Sequence, residues 1–68
     1  MTITLNGQTT EIALHCTVSM LLESMFAMNI PQGLAVSINY SVVRKSDWHN
    51  YTIEENDEIE VLWASSGG

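Results

Sequence analysis

Asn6-Gly7 follows directly on a stretch, Met1 to Leu5, in which apolar and polar residues alternate without a break, and that combination commits the start of the chain to a β-hairpin. Asparagine followed by glycine best tolerates the two successive positive φ angles of a tight hairpin turn. Met1, Ile3 and Leu5 face one way and Thr2 and Thr4 the other, the pattern of a half-buried strand. A second strand is predicted from about Thr9 to Leu14, with Ile12 and Leu14 on the core face and Glu11 on the wet one.

The period changes after Cys16. Val18, Leu21, Leu22, Met25 and Phe26 recur at spacings of three and four, which places them on one stripe of a helix. Thr17 is its natural N-cap, because a hydroxyl there can accept a backbone N–H of the first turn; Met20 at the third helical position rules out a capping box. The helix is predicted to fade near Asn29, since Pro31 biases Ile30 away from helical angles and Gly33 adds a second breaker. A third strand is expected over Leu34 to Asn39 with Val36 and Ile38 inward, then a less regular stretch, Tyr40 to Asn50, that holds Val42-Val43 and Trp48. Ile53 to Asp57 reads as a turn leading into a last strand, Glu58 to Trp63. The implied class is α+β: one mixed sheet of four to five strands packed on one main helix. Residues 1–63 are read as the folded domain and 64–68 as a flexible C-terminal tail.

Size and charge narrow the function. A chain of 68 residues lies near the lower limit for a core without staples, so most of its 46 % apolar residues must be buried together and little remains to build a deep pocket. That favours a protein presenting a surface or a terminus over a self-sufficient enzyme. Two basic residues, Arg44 and Lys45, stand against eight acidic ones, for a net charge of −6. Neither nucleic acid nor an anionic membrane surface is an expected partner for such a chain, whereas a protein with a basic docking face is. Cys16 is the only cysteine, so no intrachain disulfide can form. No apolar run approaches a membrane span and the N-terminus does not resemble a secretory leader, so the expected location is the cytoplasm.

The chain ends Ala64-Ser65-Ser66-Gly67-Gly68. The reactive group at that end is the α-carboxylate of Gly68, a poor acyl donor until an adenylyl group converts it to a mixed anhydride. Glycines without Cβ atoms can thread a narrow channel in a partner enzyme, with Ser66 as the residue that precedes them. A frayed terminus would look the same, so the tail gains meaning only from what stands behind it. In the last strand Ile59, Val61 and Trp63 share one face, while Glu58, Glu60 and Leu62 share the other. Whichever face is buried, Leu62 or Trp63 is left outside beside the tail and is expected to dock a partner. Glu58 and Glu60, within the acidic run Glu54 to Glu60, are either a solvated surface or part of that docking face; Arg44 and Lys45 either pair with a partner's carboxylates or keep a loop wet. Cys16, His15 and His49 match no zinc signature, no metal ligand is assigned, and a structural role is expected for Cys16.

Taken together, these residues resemble the ThiS family of sulfur carriers in thiamine biosynthesis, small β-grasp proteins related to ubiquitin. The resemblance rests on Ile3-Thr4-Leu5-Asn6-Gly7, on Thr17-Val18 followed by Leu21-Leu22, and on Val36-Ser37-Ile38-Asn39. It continues through Val43 and Trp48, Asn56-Asp57-Glu58-Ile59-Glu60-Val61, and the Gly67-Gly68 end. Tyr40 and Asn56 stand where glycine is usual, and Arg44 where proline is. The resemblance implies that the chain has no catalytic residues and binds no cofactor itself. A ThiF-like adenylyltransferase using ATP and magnesium would adenylate Gly68, sulfur from a cysteine persulfide would convert it to a thiocarboxylate, and a ThiG-like thiazole synthase would take that sulfur. The nearest rival is the small subunit of molybdopterin synthase, against which shortness and the Asn39 to Trp48 stretch argue. A β-grasp binding or modifier domain whose terminus is never activated is the rival of another class.

Overall fold

The structure, a computed structural model, describes residues 1–27 and 29–63. Its elements run β1 (Thr2–Leu5), β2 (Gln8–Glu11), α1 (Val18–Phe26), β3 (Leu34–Ile38), β4 (Ser41–Val43), a 3-10 turn (Lys45–Asp47) and β5 (Glu58–Trp63). The five strands form one sheet in the order β2-β1-β5-β3-β4. β1 and β5 run parallel and the other neighbours antiparallel, so the expected mixed sheet with one main helix is what forms.

Each hairpin is turned by two residues at positive φ. Asn6 (48°) and Gly7 (83°) join β1 to β2, with Leu5 opposite Gln8. Asn39 (52°) and Tyr40 (69°) join β3 to β4, with Ile38 opposite Ser41. The third strand therefore stops one residue short of its expected end, because Asn39 is turn. β2 is also shorter than predicted: it ends at Glu11, Ile12 is half-buried, and Leu14 is 67 % exposed instead of facing the core. Chain direction is the cause, since positive φ at His15 (63°) turns the backbone toward the helix before Leu14 can complete the alternation. The helix ends at Phe26, three residues before Asn29, with Ala27 as a left-handed cap at φ 50°.

Ile3, Val36, Ile38, Val43, Ile59 and Val61 on one sheet face meet Val18, Leu21 and Leu22 of α1, with Trp48 and Ile53 closing the cluster. Hydrogen bonding at the helix start is complete. Thr17 Oγ1 accepts from the Met20 N–H at 3.2 Å, as its position predicted, while Val18 N–H donates to the Tyr51 carbonyl and Ser19 N–H to that of Trp48. The 48–51 segment thus satisfies the two donors the cap cannot reach. Trp48 returns the constraint, its indole N–H donating to the Val43 carbonyl at 3.0 Å.

The Asn6 side chain clasps β5 where β1 has ended: Oδ1 accepts from Val61 N–H at 2.8 Å and Nδ2 donates to Val61 O at 3.3 Å. Asn6→Ala removes both bonds next to a buried residue and leaves a Cβ at positive φ, so it should lower stability by about 2–3 kcal/mol. Asn6→Gly relieves the φ penalty and should recover part of that loss, as read from urea midpoints.

Candidate functional site

β5 lies in the middle of the sheet, between β1 and β3, although it is the last strand of the chain. Its inward residues are almost fully buried, Ile59 and Val61, and its outward ones alternate with them as read from the sequence. Register places Leu62 beside Ala35, and Glu60 beside Ser37, whose other neighbour is Val42. Paired residues share a face, so Ala35, Ser37, Val42, Glu60 and Leu62 lie together on the side away from the helix. Leu62 is 63 % and Val42 76 % exposed.

Trp63 adopts neither of the two states considered for it. It points to the helix side, where its ring meets Phe26 edge-on with centroids 5.6 Å apart, yet half of it remains exposed. The base of the tail therefore carries an apolar group on each face of the sheet. Arg44 and Lys45 come to the same end: Val43 pairs with Val36, Leu34 pairs with Trp63, and the basic pair follows Val43 at once. Glu58 starts the strand at the opposite end, about 17 Å away along five residues. Leu62, Trp63, Arg44 and Lys45 thus lie at one end of the sheet, Leu62 and Trp63 on opposite faces of it, with Glu60 further along the strand and Glu58 at the other end. Ser66, Gly67 and Gly68, the remaining residues expected at this site, lie outside the described residues.

Glu58 and Asp57 also have partners within the fold. Asn39 clamps the start of β5, its Nδ2 donating to Asp57 Oδ1 at 3.1 Å and its Oδ1 accepting from Glu58 N–H at 2.9 Å. Asp57 Oδ2 accepts from Glu54 N–H at 2.8 Å, which closes the turn before the strand. The Tyr40 hydroxyl donates to Glu58 Oε2 at 3.0 Å. Of the five acidic residues in the run, Asp57 and Glu58 therefore have carboxylate partners within the fold. Val42 and Tyr40 were not singled out as surface apolar groups from sequence; the signal was present, because a two-residue turn at Asn39-Tyr40 forces Val42 outward once Val43 points in.

Cys16 is buried, and burial pushes its thiol above the usual range. A protonated, enclosed thiol is a poor nucleophile, in keeping with a structural role. No group of three or more His, Cys, Asp or Glu side chains suited to a metal ion occurs among the described residues. No helix among them is long and apolar enough to cross a membrane.

The ThiS family model matches residues 3–68, nearly the whole chain and through both terminal glycines. The chain belongs to the ThiS family. A crystal structure of a thiamine biosynthesis protein (ThiS) from Geobacter metallireducens superposes with a TM-score of 0.80 at 24 % identity, covering 100 % of both chains. A solution structure of a thiamine biosynthesis protein from the same organism gives 0.76 at 26 % identity, over 100 % of this chain and 88 % of that one. A search of curated proteins finds no match. The fold is the β-grasp.

Backbone angles account for the three positions at which this ThiS family member departs from the family pattern. Tyr40 and Asn56 both hold φ 69°, where glycine is the unstrained choice and asparagine a mild substitute. Arg44 holds φ −66°, the angle a proline ring would impose. Tyr40 is the costly departure, and its hydroxyl bond to Glu58 offsets some of the strain.

That bond, with the Glu58 charge behind it and Glu60 as a smaller contributor, raises the Tyr40 phenol above its ordinary value of 10.0. A group whose folded-state pKa is raised stabilises the fold below its unfolded value and loses that contribution as pH rises through the folded one. Tyr40 should therefore ionise above pH 10.0 in an ultraviolet phenolate titration, and stability should fall as it does so. Glu58→Gln removes the charge behind that bond and should move the Tyr40 titration back toward 10.0.

Proposed function

We infer that the chain is a sulfur carrier in thiamine biosynthesis, with the Gly68 carboxylate as the group that is activated and loaded. The observation behind this reading is the family match, which runs to Gly68 and covers a β-grasp body whose central strand leads directly into the tail. ThiS family proteins carry sulfur and do not catalyse its transfer.

The chemistry follows from the functional group. A carboxylate oxygen is a poor leaving group, so Gly68 must first receive an adenylyl group from ATP with release of pyrophosphate, assisted by magnesium in the adenylating partner. The terminal sulfur of a cysteine persulfide then attacks the acyl carbon and expels AMP; a second thiol attacks the cysteine sulfur of the resulting acyl disulfide, forming a disulfide with that cysteine and releasing the thiocarboxylate. A thiazole synthase resembling ThiG receives the sulfur in turn. ATP and magnesium belong to the ThiF-like partner.

This chain contributes a rigid base, a tail and a docking face. Residues 1–63 act as the handle and residues 64–68 as the arm that carries the reacting group, with Ser66 and Gly67 as the part that enters the partner's channel. Leu62 and Trp63 flank the base of that arm on opposite faces of the sheet, beside Glu60 and the Arg44-Lys45 pair. Val42 and Ala35 extend the apolar surface around Leu62. Glu58, at the far end of β5 and engaged with Tyr40, contributes to the acidic field that draws in a basic partner more than to direct contact. The molybdopterin and non-activated modifier readings have no observation here that favours them over the thiamine carrier.

Incubated with ATP, magnesium, a sulfur source and the adenylating partner of its host, the intact chain should gain the mass difference between one sulfur and one oxygen. Deletion of Gly68 should abolish the gain. An unchanged mass with a partner shown to be competent would sink the carrier reading. Leu62→Ala, at an exposed position that leaves the core intact, should weaken partner binding by about tenfold, as read by calorimetry.

A further inference from the structure

A cavity of about 410 Å³ opens on the helix side of the sheet, at the end from which the chain leaves Trp63. Ile30, Leu34 and Trp48 give it apolar walls, and Ser19, Lys45 and His49 supply polar groups. Two of its donors are already committed: the Ser19 N–H goes to the Trp48 carbonyl at 3.1 Å and the Trp48 indole N–H to Val43 O at 3.0 Å. The Lys45 ammonium is different. It is the chain's only lysine, and among the described residues it makes no ion pair, although the chain carries eight acidic residues.

Register fixes where this cavity stands relative to the tail. Leu34 pairs with Trp63, and Leu34 and Lys45 both line the cavity. One strand spacing, about 5 Å, therefore separates Trp63 from Leu34 on the cavity wall. Five further residues reach at most about 17 Å, so any protein that holds Gly68 in its active site comes within that distance of Trp63. A docking patch of ordinary size, about 800 Å² per partner, has a radius of roughly 16 Å. The cavity falls inside that footprint.

We propose that the Lys45 cavity is a second docking subsite, on the sheet face opposite Leu62, and that it takes a carboxylate side chain of the adenylating partner, whose methylene stem packs against Trp48 and Leu34. Charge decides the chemistry of the occupant. With a net charge of −6, the chain repels anions over most of its surface, and the adjacent Arg44 and Lys45 make this the place where an acidic group is welcome. Leu62 and the cavity together make the partner straddle the end of the sheet, which aims the tail instead of merely tethering it. The proposal rests on the carrier reading and on a partner that adenylates Gly68.

Because Lys45 is the only lysine, one experiment reads this contact without ambiguity. The complex with the adenylating partner is treated with a water-soluble carbodiimide, which condenses an amine with a neighbouring carboxylate, and the cross-linked peptides are mapped by mass spectrometry. The expected product joins Lys45 to an aspartate or glutamate of the partner. In parallel, Lys45→Glu, an exposed and fold-neutral change, should raise the Kd for the partner roughly three- to tenfold and flatten its salt dependence, with Lys45→Gln between. Sulfur loading of the native chain is followed in the same mixture. Loading without a Lys45 cross-link, or with a Lys45→Glu Kd equal to that of the native chain, overturns the subsite and leaves the carrier reading intact. A Lys45 cross-link to a second copy of this chain in place of the partner overturns it as well. Failure of the native chain to load with a competent partner removes the carrier reading, and the subsite with it.

Discussion

Everything in this fold depends on placing the last strand of the chain in the middle of the sheet. β5 must be hydrogen-bonded on both edges, by β1 running parallel and β3 running antiparallel, or its buried backbone would be left without partners. The flanking strands are short, and two asparagines extend their reach. Asn6 bonds both polar groups of Val61 beyond the end of β1, and Asn39 ties its own backbone and side chain to Asp57 and Glu58 at the start of β5. Both sit at positive φ in two-residue turns, so each residue reverses the chain and locks the central strand. The strand that leads to the tail is thus held from both sides.

The second dependency runs between the helix and the segment before β5. Val18 and Ser19 need acceptors that the helix itself cannot supply, and the carbonyls of Tyr51 and Trp48 meet that need. Trp48 in turn is fixed by Val43, at the end of β4. One chain of bonds therefore links the helix start, the irregular segment and the edge of the sheet, and it sets the walls of the cavity next to Lys45. A stretch with little regular structure is here as constrained as the strands.

Legibility in the sequence followed the range of the interaction. The Asn6-Gly7 turn, the Thr17 cap and the inward set of β5 were readable because each depends on neighbours a few residues away. The failures came where distant chain intervened. Leu14 belonged by alternation to a strand, but the backbone turns at His15 to deliver the helix, and tertiary packing overrode the local pattern. Alternation leaves Trp63 either buried or exposed, whereas an edge contact with Phe26 leaves it half of each. For the site, Leu62 and the basic pair were legible as residue types. Their meeting at one end of the sheet was not, because nothing in the spacing of residues 34, 43 and 63 reveals strand order.

Sequence by itself determined the two-period pattern that selects an α+β body, the acidic surface, and a family membership that extends to Gly68. These are properties of composition and local order, and they need no folding to be read. Tertiary structure alone decided which residues surround the base of the tail. Trp63 and Leu34 meet, and the Arg44-Lys45 pair comes to their end of the sheet, only because β5 pairs with β3 and β3 with β4, and pairing register is a long-range choice made by burying Ile59, Val61, Val36 and Val43 on one face.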